Sequence, residues 1–277
     1  MPPCAPEPIK SLTPEDVVAL WPQPDPDGDK YSRGVVGIDT GSARYPGAAI
    51  LSVLGALWSG AGFIRYVGTE TAKPALLVRA PSITYGVGRV QAWCLGSGWD
   101  ESAPDAPTTL LNRLLPRLRD NVPCVLDAGA LSLLRAQPPL TPLPKGSLLT
   151  PHAGELARLL GVSRAEVSAQ PLQYARQAAQ LTQTTVLLKG PIHYAVSPDG
   201  AALTAVRGPA WTAQAGSGDV LAGVCATLLA SGVQPLLAAA LAASAQALIA
   251  AAHPGPIPPD VLITHLPALI ASHNPPA

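Results

Sequence analysis

Short apolar runs alternate with helical stretches along most of this chain, and that rhythm limits its fold more than any other feature. Val35-Val36-Gly37-Ile38-Asp39 predicts a buried strand, and residues 46–59 predict a helix whose small side chains allow close packing on a sheet. Further strands are expected at 63–67, 90–95, 124–126, 148–150 and 186–189, with helices at about 108–121, 153–160 and 165–182. A strand followed by a helix, repeated, builds a mostly parallel sheet covered by helices on both faces. One hairpin breaks the pattern: residues 193–196 and 202–206 flank Ser197-Pro198-Asp199-Gly200-Ala201, whose Pro-Asp-Gly favours a turn.

Composition narrows the function. A chain of 277 residues can bury a substantial core, and no linker divides it. Residues 1–29 read as a Pro- and Asp-rich N-terminal arm, and 30–277 as one domain. Thr13-Pro14-Glu15-Asp16 supplies the cap, first-turn proline and acids of a short helix in that arm. Lys and Arg number 18 against 18 Asp and Glu, so there is no basic field for nucleic acid and no polybasic patch for a membrane. The 32 prolines and 25 glycines punctuate the chain too often for a coiled coil or a membrane bundle. Residues 236–252 are apolar, but Ser244 and Gln246 interrupt them and a buried core helix fits better than a membrane span. Met1-Pro2-Pro3-Cys4-Ala5-Pro6 lacks the basic start of a secretory signal, so the expected location is cytoplasmic. Cys4, Cys94, Cys124 and Cys225 lie far apart without metal-like spacing and are read as reduced thiols.

In parallel sheets ligands gather beyond the carboxyl ends of the strands. Four such places stand out. Thr40-Gly41-Ser42 with Tyr45-Pro46-Gly47-Ala48-Ala49 either leaves room for a flat ligand or simply turns strand into helix. Gly96-Ser97-Gly98-Trp99 lines a ligand or only punctuates a loop. In Pro151-His152-Ala153-Gly154-Glu155 the His can bind substrate or be structural, and the Glu can close a helix cap. Lys189-Gly190 offers a cation and a bare backbone to phosphates, or a solvated Lys before a turn. A fifth segment carries the most chemistry. Ala215-Gly216-Ser217-Gly218-Asp219 runs straight into an apolar helix, so unpaired N–H groups and a helix dipole face one spot suited to phosphate. A carboxylate at Asp219 beside that anion hole can take the proton of a hydroxyl that attacks a phosphoryl group, or it can merely cap the helix.

Taken in order, Tyr45-Pro46-Gly47-Ala48-Ala49, Ser59-Gly60-Ala61-Gly62, Leu149-Thr150-Pro151-His152-Ala153-Gly154-Glu155, Leu188-Lys189-Gly190 and residues 215–223 resemble the ADP-dependent NAD(P)H-hydrate dehydratases. These are nicotinamide-nucleotide repair enzymes of the ribokinase-like superfamily, and the resemblance runs from about residue 30 to 252. It implies a ribokinase-like three-layer α/β/α fold with a mostly parallel central sheet. It also implies dehydration of the S-epimer of hydrated NADH or NADPH at the expense of ADP, or ATP, with release of AMP and phosphate. The ring hydroxyl would be activated by phosphoryl transfer, after which the ring nitrogen expels phosphate.

By the same resemblance Asp219 is the catalytic base and contacts substrate together with Ala49, Gly98 and His152. Lys189, Gly190, Pro191, Ile192 and His193, with Gly216, Ser217 and Gly218, hold the adenine nucleotide. Mg2+ would bridge the phosphates, although no residue announces itself as its ligand. The family implies a tetramer and often a fused epimerase; no second domain is found in this sequence, so an epimerase is expected on a separate chain. The chain departs from the family at Asp39-Thr40-Gly41-Ser42, where Ala-Gly-Ser is more common, at Arg207-Gly208-Pro209-Ala210-Trp211, and at Gln246-Ala247 in place of His-Gly. Two other readings of the motifs are a kinase of a small hydroxymethyl heterocycle and a non-catalytic adenine-nucleotide-binding relative.

Overall fold

The computed structural model describes residues 9–103, 105–135 and 142–272. In chain order the elements are β1 (Lys10–Ser11), α1 (Pro14–Ala19), β2 (Val35–Asp39), α2 (Pro46–Trp58), β3 (Phe63–Tyr66), α3 (Lys73–Arg79), β4 (Thr84–Tyr85), β5 (Ala92–Leu95), α4 (Ala106–Leu118), β6 (Cys124–Leu126) and α5 (Gly129–Ser132). They continue with β7 (Leu148–Leu149), α6 (Ala153–Leu160), α7 (Arg164–Ala169), α8 (Pro171–Thr182), β8 (Thr185–Leu188), β9 (Tyr194–Val196), β10 (Ala202–Thr204), α9 (Ser217–Ala230), α10 (Pro235–Ala252), α11 (Pro259–Leu262) and α12 (Leu266–Ala271). The strands form one sheet in the order β1-β10-β9-β8-β7-β6-β5-β2-β3-β4. Every pairing is parallel except the two made by β9, which is the hairpin expected around Pro198-Asp199-Gly200.

Side chains alternate across this sheet as the pleat requires. Val36, Ile38, Cys94, Val125, Leu148 and Leu187 enter one core with α2, α9 and α10, while Leu95, Leu126, Leu149, Val186 and Leu188 enter another with α4, α6 and α8. This is the expected three-layer α/β/α arrangement. Helix α10 is long and apolar enough to cross a membrane by length and composition alone, yet Ala238 to Ala243 are all buried in the first core. Cys94, Cys124 and Cys225 are buried free thiols, and Cys4 lies outside the described residues.

Three local expectations are revised. The helix expected over 165–182 is two helices, because Pro171 opens α8 and Gln170 before it is held out of the helical region at φ −135°. Thr13 caps α1 as expected, its side chain accepting from Asp16 N, but the N-terminal stretch is tied to the sheet. Lys10 and Ser11 pair with Leu203 and Thr204, and Leu12, Val17 and Trp21 are buried in the first core. Helix α3 and edge strand β4 lie outside the elements expected from sequence; residues 73–85 carry no clear hydrophobic periodicity.

The contact that sets the site is α2 against α9. A Cβ on Gly55 would lie 2.2 Å from the Val220 carbonyl oxygen, and one on Gly223 would lie 2.1 Å from that of Ser52. The two backbones therefore touch where any side chain would separate them, and Thr227 Oγ1 donates to Ala56 O across the seam at 3.3 Å. Gly223→Ala forces the helices apart, and we expect it to lower unfolding free energy by about 1–3 kcal/mol, read from the midpoint of urea denaturation.

Candidate active site

Close packing of α2 and α9 brings both helix N-termini to the carboxyl edge of the sheet, over the point where strand order reverses between β5, β2 and β3. Gly216 is the residue before α9 and takes φ +88°, a left-handed conformation that glycine tolerates without cost; a Cβ there would also strike Leu51. Ser217 is engaged inward, its N–H and its hydroxyl both donating to Gln214 O. The next backbone bond of the helix runs from Val220 N to Gly216 O, so the Gly218 and Asp219 N–H groups have no partner among the described residues. These are the free donors of an anion site at a helix start.

Facing them is a buried charge cluster. Lys189, just past β8, places its Nζ 2.7 Å from Asp127 Oδ1 and 3.2 Å from where a Gly218 Cβ would be. Burial works to lower the Lys189 pKa, but attraction from Asp127, Glu155 and Asp219 outweighs it and raises the value, so the ammonium persists. Asp219 accepts no hydrogen bond and forms no ion pair among the described residues. Burial, then the charge of Asp127, pushes its pKa up to about 7, against the pull of Lys189. His193 is pushed the other way, to about 4, by burial and by Lys189, so it stands neutral beside the ammonium.

The other anticipated residues fall around this centre in different ways. His152 is the N-cap of α6: its Nδ1 accepts from Gly154 N at 3.0 Å and Glu155 N at 3.2 Å, while Glu155 Oε2 accepts from His152 N at 2.8 Å. The cap fixes the imidazole, whose Nε2 lies 3.5 Å from Glu155 Oε1 on a side chain that is 55% exposed. A bridge between His152 and Lys189 aligns their two segments side by side. Gly190, Pro191 and Ile192 form an exposed loop that leads to His193.

Gly98, at φ +67°, packs with no room for a side chain against Ala48 and the Tyr45 carbonyl. Ala49 is 0% exposed, under the turn at Gly41, so its methyl supports the crevice floor and has no surface of its own to offer a ligand.

Sequence reasoning missed two groups. Asp127 follows β6 as the other polar residues follow their strands, and Asp127-Ala128-Gly129 could have been read by the same rule. Asp39, one of the departures from the family pattern, is buried and paired to two guanidinium groups, with Arg113 Nη2 at 2.5 Å and Arg117 Nη2 at 3.3 Å. Arg113 Nη1 also donates to Gly41 O at 3.0 Å, bracing the turn over Ala49. The guanidinium groups sit over the Trp99 and Trp93 rings at 4.6 and 5.1 Å. No spacing in the sequence links residues this far apart. Gln246, another departure, donates to Ser217 O at 3.0 Å and ties α10 to the glycine turn.

Among the described residues no group of three or more His, Cys, Asp or Glu side chains is placed to hold a metal ion. Asp127 is already occupied by its donors, which leaves Asp219 as a lone carboxylate. Such a donor set does not fit a resident metal.

The sequence profile of the family described as NAD(P)H-hydrate dehydratase matches residues 36–267. The bifunctional NAD(P)H-hydrate repair enzyme of Mycobacterium tuberculosis is 39% identical over 79% of this chain, which spans 45% of that protein's length. The ADP-dependent (S)-NAD(P)H-hydrate dehydratase of Xanthomonas campestris is 36% identical, with 79% of this chain and 80% of that protein covered. Among solved structures, the ADP/ATP-dependent NAD(P)H-hydrate dehydratase of Bacillus subtilis, co-crystallised with ATP/Mg2+, superposes with a TM-score of 0.82 at 26% identity, covering 94% of this chain and 97% of that one. The chain thus spans about half the length of the bifunctional relatives and most of the single-function ones.

The raised Asp219 value has a consequence for stability. From its ordinary 3.8 up to about 7, the folded state retains a proton that the unfolded chain has released, so stability falls as pH rises through that window and stays lower above it. Asp219→Asn removes this liability. In ligand-free protein its Tm should exceed that of the unmodified chain at about pH 8 and converge with it near pH 4, as followed by scanning calorimetry.

Proposed function

The chain belongs to the NAD(P)H-hydrate dehydratase family, and from that membership we propose that it catalyses the ADP-dependent dehydration of the S-epimer of hydrated NADH or NADPH. The observation that carries the reading is a carboxylate without a hydrogen-bond partner, Asp219, standing at unpartnered helix N–H groups beside the Lys189 ammonium. An acid placed there is poor at binding phosphate and well suited to accept a proton next to it.

In this mechanism the Asp219 carboxylate takes the proton of the ring hydroxyl as its oxygen attacks the terminal phosphorus of ADP. The bond to AMP breaks, and the charge on the transferring group is met by Lys189 and by the Gly218 and Asp219 N–H groups. The ring nitrogen lone pair then expels phosphate, cleaving the carbon–oxygen bond. Loss of a proton from the adjacent carbon restores the dihydronicotinamide. Hydroxide is a poor leaving group and phosphate a good one, which is why ADP is consumed. Lys189 to His193 would carry the nucleotide, and the half-exposed His152 side chain would contact the dinucleotide. Mg2+ would neutralise the nucleotide phosphates as it arrives with them.

The same reading includes a homo-oligomer, a tetramer by family analogy, which is supported by the exposed Leu77, Val78 and Val87 flanking edge strand β4. It also includes functional coupling to an NAD(P)H-hydrate epimerase and a reducing, cytoplasmic setting that suits the three buried thiols.

Incubation with hydrated NADH and ADP should restore the absorbance of the reduced cofactor, with AMP and phosphate formed in equal amounts. No recovery with either ADP or ATP overturns the proposal, and a stable phosphorylated alcohol identifies a kinase instead. Asp219→Asn should lower kcat by about 10²–10⁴-fold. Because the base works unprotonated, kcat should climb with pH to a plateau above about pH 7, following the proton loss of Asp219.

A further inference from the structure

Asp127 is 2% exposed at the end of β6 and receives three side-chain donors. Ser97 Oγ, past β5, donates to Oδ2 at 2.9 Å. Thr150 Oγ1, past β7, and Lys189 Nζ, past β8, donate to Oδ1 at 2.8 and 2.7 Å. These strands are consecutive in the sheet, so the carboxylate is located by the ends of four neighbouring strands. Ala128, the next residue, is held at φ 43° and ψ −115°, a conformation that L residues seldom adopt. The backbone therefore aims Asp127 inward against its local preference.

Lys189 has a long side chain with many rotamers, and a buried ammonium without a counter-charge tends to lose its proton. The Lys189 ammonium makes one hydrogen bond among the described residues, to Asp127, which leaves its two other donors for a ligand. The ammonium reaches the glycine turn, 3.2 Å from where a Gly218 Cβ would be.

We propose that Asp127 is the positioning residue of this site, holding the Lys189 ammonium against Gly218 so that it meets the nucleotide phosphate in one orientation. The proposal rests on the adenine-nucleotide reading given above. Asp127 touches no reacting atom in it; its effect passes through Lys189. Once bound, the ammonium is both kept charged and kept still, and its remaining donors point from a fixed place.

The test is a double-mutant cycle on ADP affinity, measured by titration calorimetry with the full chain as D127N, K189Q and D127N/K189Q. Each single change should weaken ADP binding by about tenfold, and the double variant should bind no more weakly than K189Q alone. A D127N loss that persists in full without Lys189, or ADP binding indifferent to D127N, overturns the proposal.

In turnover, D127N should also move the acidic limb of the pH profile to lower pH, because one negative charge near Asp219 is gone. A merely structural lesion would lower Tm and leave that limb in place. If D127N does not fold, Thr150→Val removes one clamp from the same oxygen, and a few-fold loss of ADP affinity that vanishes in the K189Q background supports the proposal; equal loss in both backgrounds overturns it. These readouts separate the two claims. Absence of ADP binding to the unmodified chain defeats the nucleotide reading and this proposal with it, whereas ADP binding that ignores Asp127 defeats this proposal alone.

Discussion

The approach of α2 to α9 at backbone distance is the constraint on which the rest of the molecule depends. Glycine inside a helix costs about 1 kcal/mol relative to alanine, and Gly55 and Gly223 both incur it. The return is positional. With no Cβ between them the helices lock along their length, and the start of each is brought to the crevice at the carboxyl edge of the sheet. Gly216 then turns the chain into α9, and the unpartnered N–H groups of Gly218 and Asp219 face the Lys189–Asp127 pair past β8 and β6.

With so few charged residues, the protein concentrates those it buries. Lys189 with Asp127, and Arg113 and Arg117 with Asp39, pair partly exposed cations with carboxylates buried at strand ends. Pairs of this kind add little net stability, yet losing one partner typically costs about 3–5 kcal/mol because a bare charge remains. Their value here is geometric. Asp39 and Arg113 hold the turn that supports the α2 side of the crevice, and Asp127 holds the cation on the α9 side. Asp219 is left outside these pairings, and its partly buried, charged setting pushes its pKa up to about 7.

Much of the architecture was legible beforehand because strands buried on both faces read as apolar runs. Val35–Asp39 and Cys124–Leu126 have the expected bounds, and Ala153–Leu160 begins and ends where its His152-Glu155 cap and Gly161 stop signals lie. The single helix read over 165–182 failed because the pattern of apolar residues continues through Pro171 while the backbone cannot. Helix α3 and strand β4 were invisible because they are short and largely exposed at the sheet edge, where little periodicity is demanded. In the site, motifs contiguous in sequence were found, and single residues answering to distant partners were not. Asp127 and Asp39 are intelligible only beside Lys189, Thr150, Ser97, Arg113 and Arg117.

What the sequence by itself determined was local: the alternation of strands and helices, the glycine turn ahead of an apolar helix, the cap at His152, and the polar residues stationed after each strand. Those features depend on spacing over a few residues, and spacing is written in the chain. What only the tertiary structure decided was which of those residues share a charge environment. Asp219 acquires its proton affinity from burial and from Asp127, Lys189 its persistent charge from carboxylates on other elements, and His193 its neutrality from burial and from the ammonium nearby. Electrostatic energy depends on distance and on the exclusion of water, and both are set by how the layers pack.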